Sequence, residues 1–224
     1  MCGIAGFLAG EAHQQSGIEV DARLREMARR LHHRGPDGSG IWADACAGLA
    51  HTRLAVIDTS NAGAQPMHDD QGHVHIVFNG EIYNFQVLRA ELVSRGYRFA
   101  SHSDTEVLIY GFKEWGTGLF RRLTGMFALA IWDSRSRRMV LARDRFGEKP
   151  LYYTQSAGLF AFASEIKALF ALPEVARRPD REALHDYLTF GYTLGPATAF
   201  VGIQRLPAAH YMQLEPGRPP VLTR

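Results

Sequence analysis

The chain has 224 residues, 46% hydrophobic and 21% charged, with 25 basic and 23 acidic side chains giving a net charge of +2. That balance is ordinary for a globular protein, offers no basic footprint for nucleic acid, and contains no apolar run near the roughly 18 residues of a membrane span. The N-terminus lacks the basic and apolar regions of a secretory signal, and the two cysteines, Cys2 and Cys46, suit a reducing cytoplasm without supplying the clustered thiolates of a zinc site.

The chain opens Met1-Cys2-Gly3-Ile4-Ala5-Gly6-Phe7, and residues 4–8 read as a short strand. Residues 10–17 read as polar loop. Asp21 is placed to cap a helix carrying Leu24, Met27, Ala28 and Leu31 at helical spacing. Arg34-Gly35-Pro36-Asp37-Gly38 is turn chemistry. Residues 41–42 and 47–51 read as strands, followed by the apolar run 54–57 and a loop through Pro66. Asp69-Asp70-Gln71-Gly72 predicts a hairpin turn into a strand over 74–78. Asn84 is placed to cap a helix with Val87, Leu88 and Leu92 on one face and Gly96 as its stop. Ser103 and Glu106 have capping-box spacing before a third helix. Strands follow over 126–133, 138–142, 151–154 and 159–163, helices over 164–170 and 181–188, and a last strand over 209–214. Residues 216–220 read as linker. This pattern predicts mixed α and β layers without fixing their topology.

Several residues carry chemistry. Loss of Met1 would leave Cys2 with both a thiol and a free α-amine, whose ordinary pKa values are about 8.5 and about 7.7–8.0. One residue then supplies nucleophile and base together. Gly3 and Gly6 leave backbone room beside such a centre. The competing reading is a chance cysteine before a first strand. Asn79-Gly80 offers two donors for a developing oxyanion, or simply a tight turn. Arg53 is either a surface side chain or a carboxylate clamp. Asp104 either complements a helix dipole or binds an ammonium. Taken together, the four suit a free amino acid with a reactive side-chain amide, which describes glutamine. Cys46 reads as a buried small hydrophobe, and His68, His73 and His75 as solvated loop or strand-face residues rather than metal ligands.

The stretches MCGIAGF, HHRGPDGSG (32–40), HTRLAVID (51–58), FNGEIYNF (78–85), HSDTEVL (102–108), GMFALAIWD (125–133), RDRFGEKPLYY (143–153) and FASEIKAL (162–169) occur in order. In these the chain resembles the glutaminase half of glutamine-dependent asparagine synthetases, the class II, N-terminal nucleophile amidotransferases. The resemblance runs from residue 1 to about 214. It implies an α+β fold, a four-layer αββα sandwich of two antiparallel sheets, with a glutaminase domain over residues 1–215 and a linker over 216–224. It implies Cys2 as nucleophile, Asn79 and Gly80 as oxyanion hole, Arg53 on the α-carboxylate, and Asp104 with Glu81 on the α-ammonium. Leu54, Ala55, Val56 and Ile57 would line the glutamine pocket with backbone groups.

The implied reaction is hydrolysis of L-glutamine to glutamate and ammonia through a Cys2 thioester. The implied partner is a C-terminal ATP-dependent synthetase domain that converts aspartate to asparagine. No pyrophosphate-binding loop of that domain occurs here, so the chain is expected to be a piece of a longer protein. ATP and Mg2+ are expected in that domain, and no cofactor or metal in this one. The resemblance also fits a cytoplasmic homodimer. Two other readings stand beside it: an amidotransferase with a sugar, cell-wall or peptide acceptor, and a catalytically silent scaffold. Leu206-Pro207-Ala208-Ala209-His210 departs locally from the family pattern, which usually has Pro-Gly before the His.

Overall fold

The computed structural model describes residues 1–10 and 17–224. The interior of the loop expected over residues 10–17 therefore lies outside the described residues. The strands are β1 (Gly3–Ala9), β2 (Gly38–Ala43), β3 (Ala47–Arg53), β4 (Met67–His68), β5 (Val74–Ile82), β6 (Gly125–Asp133), β7 (Arg138–Arg143), β8 (Tyr152–Ser156), β9 (Leu159–Ala163), β10 (Ile203–Arg205), β11 (Tyr211–Leu214) and β12 (Val221–Thr223). The helices are α1 (Gly17–Leu31), α2 (Phe85–Ser94), α3 (Asp104–Trp115), α4 (Ile166–Leu169) and α5 (Arg181–Phe190).

Two six-stranded sheets form, ordered β10-β8-β9-β1-β3-β2 and β12-β11-β7-β6-β5-β4. Every strand pairing in both sheets is antiparallel. Strand alternation sorts the apolar side chains into three layers of core. Ala5, Phe7 and Ala50 face Leu24, Met27 and Leu31 of α1. Ile76, Phe78 and Leu129 face Leu88, Leu92 and Leu108 of α2 and α3. Ile4, Leu49, Val77, Ala128 and Trp132 meet between the sheets. The chain is the four-layer αββα sandwich that the motifs implied, with β1 buried along its whole length.

The local expectations hold in type more than in boundary. α1 begins at Gly17, so Asp21 lies inside the helix, 3.8 Å from Arg25 one turn on, and is not its cap. Val87 is exposed, because the buried stripe of α2 runs through Leu88 and Leu92 with the half-buried Phe85. Asn84 stands at the N-cap of α2, but its side chain donates to Arg122 O at 2.9 Å and accepts from Thr124 N at 2.9 Å. Ser103 caps α3 by accepting from Thr105 N. Glu106 does not close a capping box; it accepts from Ala100 N and from Ser101 N and Oγ. The helix expected over 164–170 is only α4, because Ser164 Oγ is engaged by Ile4 N at the edge of β1. β11 starts at Tyr211, after Ala209 in a left-handed conformation with φ 60°. Residues 221–223 pair with β11 as an edge strand. Among the described residues, no helix is long and apolar enough to cross a membrane.

Candidate active site

The start of β1, the end of β3 and the end of β5 reach the same edge of the sandwich and enclose a cavity of about 150 Å³. Cys2 immediately precedes β1. Arg34 Nε donates to Cys2 O at 2.9 Å while its Nη1 bonds Glu165 at 2.9 Å, which fixes the terminus against α1 and α4. The Cys2 Sγ lies 3.4 Å from Leu54 N and 3.5 Å from Leu54 O. Gly3 and Gly6 are small for packing, not to leave open room: a Cβ would meet Thr52 Oγ1 at 2.6 Å and Gly48 O at 2.4 Å.

β5 runs straight through Asn79 and Gly80, which pair with Ala128 and Phe127, so the tight-turn reading of Asn-Gly falls away. The ladder decides which amides are free. Phe127 gives its N–H to Asp144 Oδ2 and accepts from Asp144 N, so Gly80 and Phe127 form a non-hydrogen-bonded pair. The N–H groups of Phe78, Gly80 and Ile82 therefore point away from β6, toward the open edge. Phe78 N donates to Gln65 Oε1 at 2.6 Å and Ile82 N to Asp104 Oδ2 at 3.0 Å. The Gly80 N–H stands between them, on the cavity wall. A Cβ at Gly80 would lie 2.1 Å from Met126 O, so only glycine fits. Asn79 is 1% exposed and its Nδ2 has no hydrogen-bond partner among the described residues. A buried amide donor without a partner is costly unless a ligand satisfies it.

The other wall carries charge. Arg53 ends β3, and its guanidinium donates to Ser60 O at 2.8 Å and to Asp58 O, which closes the loop after β3 around it. A Cβ on Gly63 would sit 2.6 Å from Arg53 Nη2 and 2.9 Å from Asp58 O, so a larger residue there would crowd the guanidinium. The Asp58 carboxylate accepts from Ser60 Oγ, His102 N and Ser60 N, and these bonds hold its pKa below the usual range. Asp104, 4% exposed, is pushed up to about 6, mainly by burial and slightly by Glu81, against the Ile82 N–H that favours its charged form. A buried carboxyl held up by desolvation is relieved when a cation arrives beside it.

Of the residues singled out from sequence, Cys2, Arg53, Leu54, Val56, Ile57, Asn79, Gly80, Glu81 and Asp104 all border this cavity. Ala55 does not; its N–H donates to Asp37 Oδ2 at 2.9 Å. Sequence reasoning gave no role to Gln65, which bridges Phe78 N and Thr105 Oγ1, or to Asp58, Gly63 and Lys149. Asp58 and Lys149 lie inside motifs already noticed, while Gln65 and Gly63 lie in a loop without a spacing signal. His51 was missed too: it is 1% exposed, and burial, opposed by the Phe78 backbone, takes its pKa down to about 3, so it is neutral. His75 is buried rather than solvated, stacked on Trp42 with centroids 3.7 Å apart. Cys46 is half-buried and accepts from Arg137 Nη2 at 3.1 Å.

Comparison with known proteins gives the family and the fold. The family profile of the glutamine amidotransferase domain matches residues 1–220. Asparagine synthetase [glutamine-hydrolyzing] 3 of Bacillus subtilis is 38% identical over 213 residues, covering 94% of this chain and 34% of that protein. Amidase chry2 of Gibberella zeae is 34% identical, covering 96% of this chain and 33% of that protein. The chain thus spans about a third of the curated relatives it matches. Among solved structures, glutamine phosphoribosylpyrophosphate amidotransferase from B. subtilis, complexed with ADP and GMP, superposes with a TM-score of 0.69. It is 19% identical and covers 100% of this chain and 49% of that chain, which speaks to the fold alone.

Proposed function

The chain belongs to the glutamine amidotransferase domain family, and from that premise we propose that it hydrolyses the side-chain amide of L-glutamine through a thioester on Cys2. The observation that carries this reading is the unpartnered, buried Asn79 Nδ2 beside the Gly80 N–H on the wall that Cys2 borders. Two free donors lining one cavity with a thiol suit an oxyanion.

The steps follow from the residues. Removal of Met1 frees the Cys2 α-amine, which takes the thiol proton. The thiolate attacks the carboxamide carbon, and the C=O electron pair moves onto oxygen, where Asn79 and Gly80 donate to it. Collapse expels ammonia, which leaves with the proton held by the α-amine. Water then attacks the thioester, with the α-amine again as base, to release glutamate and restore the thiol. At the far end, Arg53 has three N–H groups beyond the two spent on Ser60 O and Asp58 O, and they suit the α-carboxylate. Asp104, with Glu81 next to it, suits the α-ammonium.

The ammonia acceptor would be aspartate, activated with ATP and Mg2+ in a synthetase domain beyond this chain, as the names of the synthetase relatives suggest. An acceptor other than aspartate is the second reading, favoured by the match to an amidase of similar length. Among the described residues, no three His, Cys, Asp or Glu side chains converge as ion ligands.

Intact mass before and after 6-diazo-5-oxo-norleucine tests the glutaminase reading. Loss of Met1 and one adduct on Cys2 are expected. A correctly processed chain that takes no adduct would instead favour the silent scaffold.

A further inference from the structure

Lys149 is 7% exposed, yet it borders the same cavity as Cys2. Its backbone is pinned: Lys149 N donates to Asp144 Oδ2 at 3.1 Å, and Lys149 O accepts from Arg143 Nε at 2.7 Å. Among the described residues Nζ has one polar contact, the Met1 thioether at 3.4 Å, and no ion pair. A thioether is a weak acceptor, and a buried ammonium without a carboxylate is costly. Such a group persists where the charge has another use.

The other charges around Cys2 are already committed or lie elsewhere in the cavity. Arg53 donates to Ser60 O and Asp58 O, and its remaining N–H groups are those assigned to the substrate α-carboxylate. Arg34 is paired with Glu165 and bonded to Cys2 O. The Asp58 carboxylate is held by Ser60 and His102 N. Glu81 and Asp104 border the cavity on the α3 side, and His51 is neutral. Lys149 is the cation with the weakest partner, and that partner is the residue whose removal the proposed mechanism requires.

We propose that Lys149 is a charge-positioning residue for Cys2: its ammonium, covered by the Met1 side chain before processing, is uncovered when Met1 leaves and then stabilises the Cys2 thiolate. This rests on the glutaminase reading for its role in turnover, but not for its effect on the thiol. Lys149 transfers no proton in this scheme; its effect is through the field of its charge. Removal of Met1 then exposes the α-amine and switches on the thiol in one event.

The test is the pH dependence of iodoacetamide alkylation at Cys2, followed by peptide mass to separate it from Cys46. It is run on the processed wild type, K149M, K149R and a form retaining Met1. The wild-type midpoint is expected at about pH 7.5 or below, in the range of thiols beside a cation. K149M and the Met1-retaining form should move it up by about one pH unit or more, K149R should bring it back, and K149M should lower kcat/KM for glutamine at pH 7 about 10-fold. Unchanged midpoints in folded K149M would overturn the inference. Should K149M fail to fold, K149Q replaces it, and a wild-type midpoint near the ordinary thiol value of about 8.5 would overturn it without any variant. A lowered, Lys149-dependent midpoint in a chain that does not turn over glutamine would keep this inference and remove the glutaminase reading.

Discussion

Asp104 is a buried carboxyl held up by desolvation and Asn79 a buried amide whose Nδ2 has no partner among the described residues, and each has a measurable consequence. For Asp104 the folded pKa of about 6 lies above the usual 3.8. Between these values the folded state binds the extra proton, so stability falls as pH rises from about 3.8 to about 6 and is level above. Asp104→Asn keeps an acceptor for Ile82 N–H and should raise unfolding free energy at pH 7 by about 1–3 kcal/mol, with little change at pH 4. The same substitution should lower kcat/KM for glutamine about 10–100-fold, through loss of a charged hydrogen bond. Denaturant titrations at both pH values check the first part; equal stabilities at pH 7 would refute it. In the wild type, kcat/KM should decline as pH falls through about 6, since a protonated Asp104 no longer holds the ammonium. Asn79→Ala should lower kcat about 10²–10³-fold with KM nearly unchanged, and an effect confined to KM would make Asn79 a binding group instead. At this scale the sequence was legible where chemistry is concentrated in one residue, as in Cys2, or in a short motif. His51, Gln65 and Lys149 acquire their meaning from what surrounds them, and no spacing announces that.

Elements were legible in type, because periodicity reports which face is buried, and less so in their ends, because ends depend on partners far away. Asp21 looks like a cap in isolation, yet α1 extends to Gly17. Ser164 has helix-start chemistry, yet Ile4 N holds its hydroxyl. The loop after β3 shows the same dependence with a functional edge. Its path is set by Arg53, whose guanidinium binds Ser60 O and Asp58 O, and by the Gly63 backbone lying against that guanidinium. Gly63→Ala should displace Arg53 from its seat, since the new Cβ would also meet Asp58 O at 2.9 Å. The expected result is a KM for glutamine raised about 10-fold, with kcat little changed, because Cys2 and the Gly80 amide are untouched. Steady-state kinetics at pH 7.5 decide this; a fall in kcat at constant KM would mean that the loop positions the reacting amide rather than the carboxylate.

At the scale of the molecule, the site exists because two sheets are stacked so that the start of β1 and the ends of β3 and β5 share one edge. Composition and periodicity could indicate layers, but the pairings join distant residues, such as Ile4 and Ser164, and no local pattern encodes them. Only the ordered set of motifs pointed to this topology. The stacking must also be locked away from the cavity, and the opposite edge shows how. Asp44, in the turn between β2 and β3, accepts from Cys46 N and Ala47 N at 2.8 Å through one oxygen. Its other oxygen accepts from Trp132 Nε1 at 2.7 Å, and Trp132 is fully buried in β6 of the second sheet. One carboxylate thus closes a hairpin in one sheet and satisfies the largest buried side chain of the other. Asp44→Ala would strand the Trp132 N–H, at about 1–3 kcal/mol, and remove the acceptor of two turn amides. Unfolding free energy should fall by about 2–4 kcal/mol, while kcat/KM below the transition stays at the wild-type value, because Asp44 and the cavity lie at opposite ends of the strands. Calorimetry alongside glutamine turnover at 25 °C reads both. A loss of activity in the still-folded variant would show that the relative placement of the sheets, and not only the three strand ends, sets the geometry at Cys2.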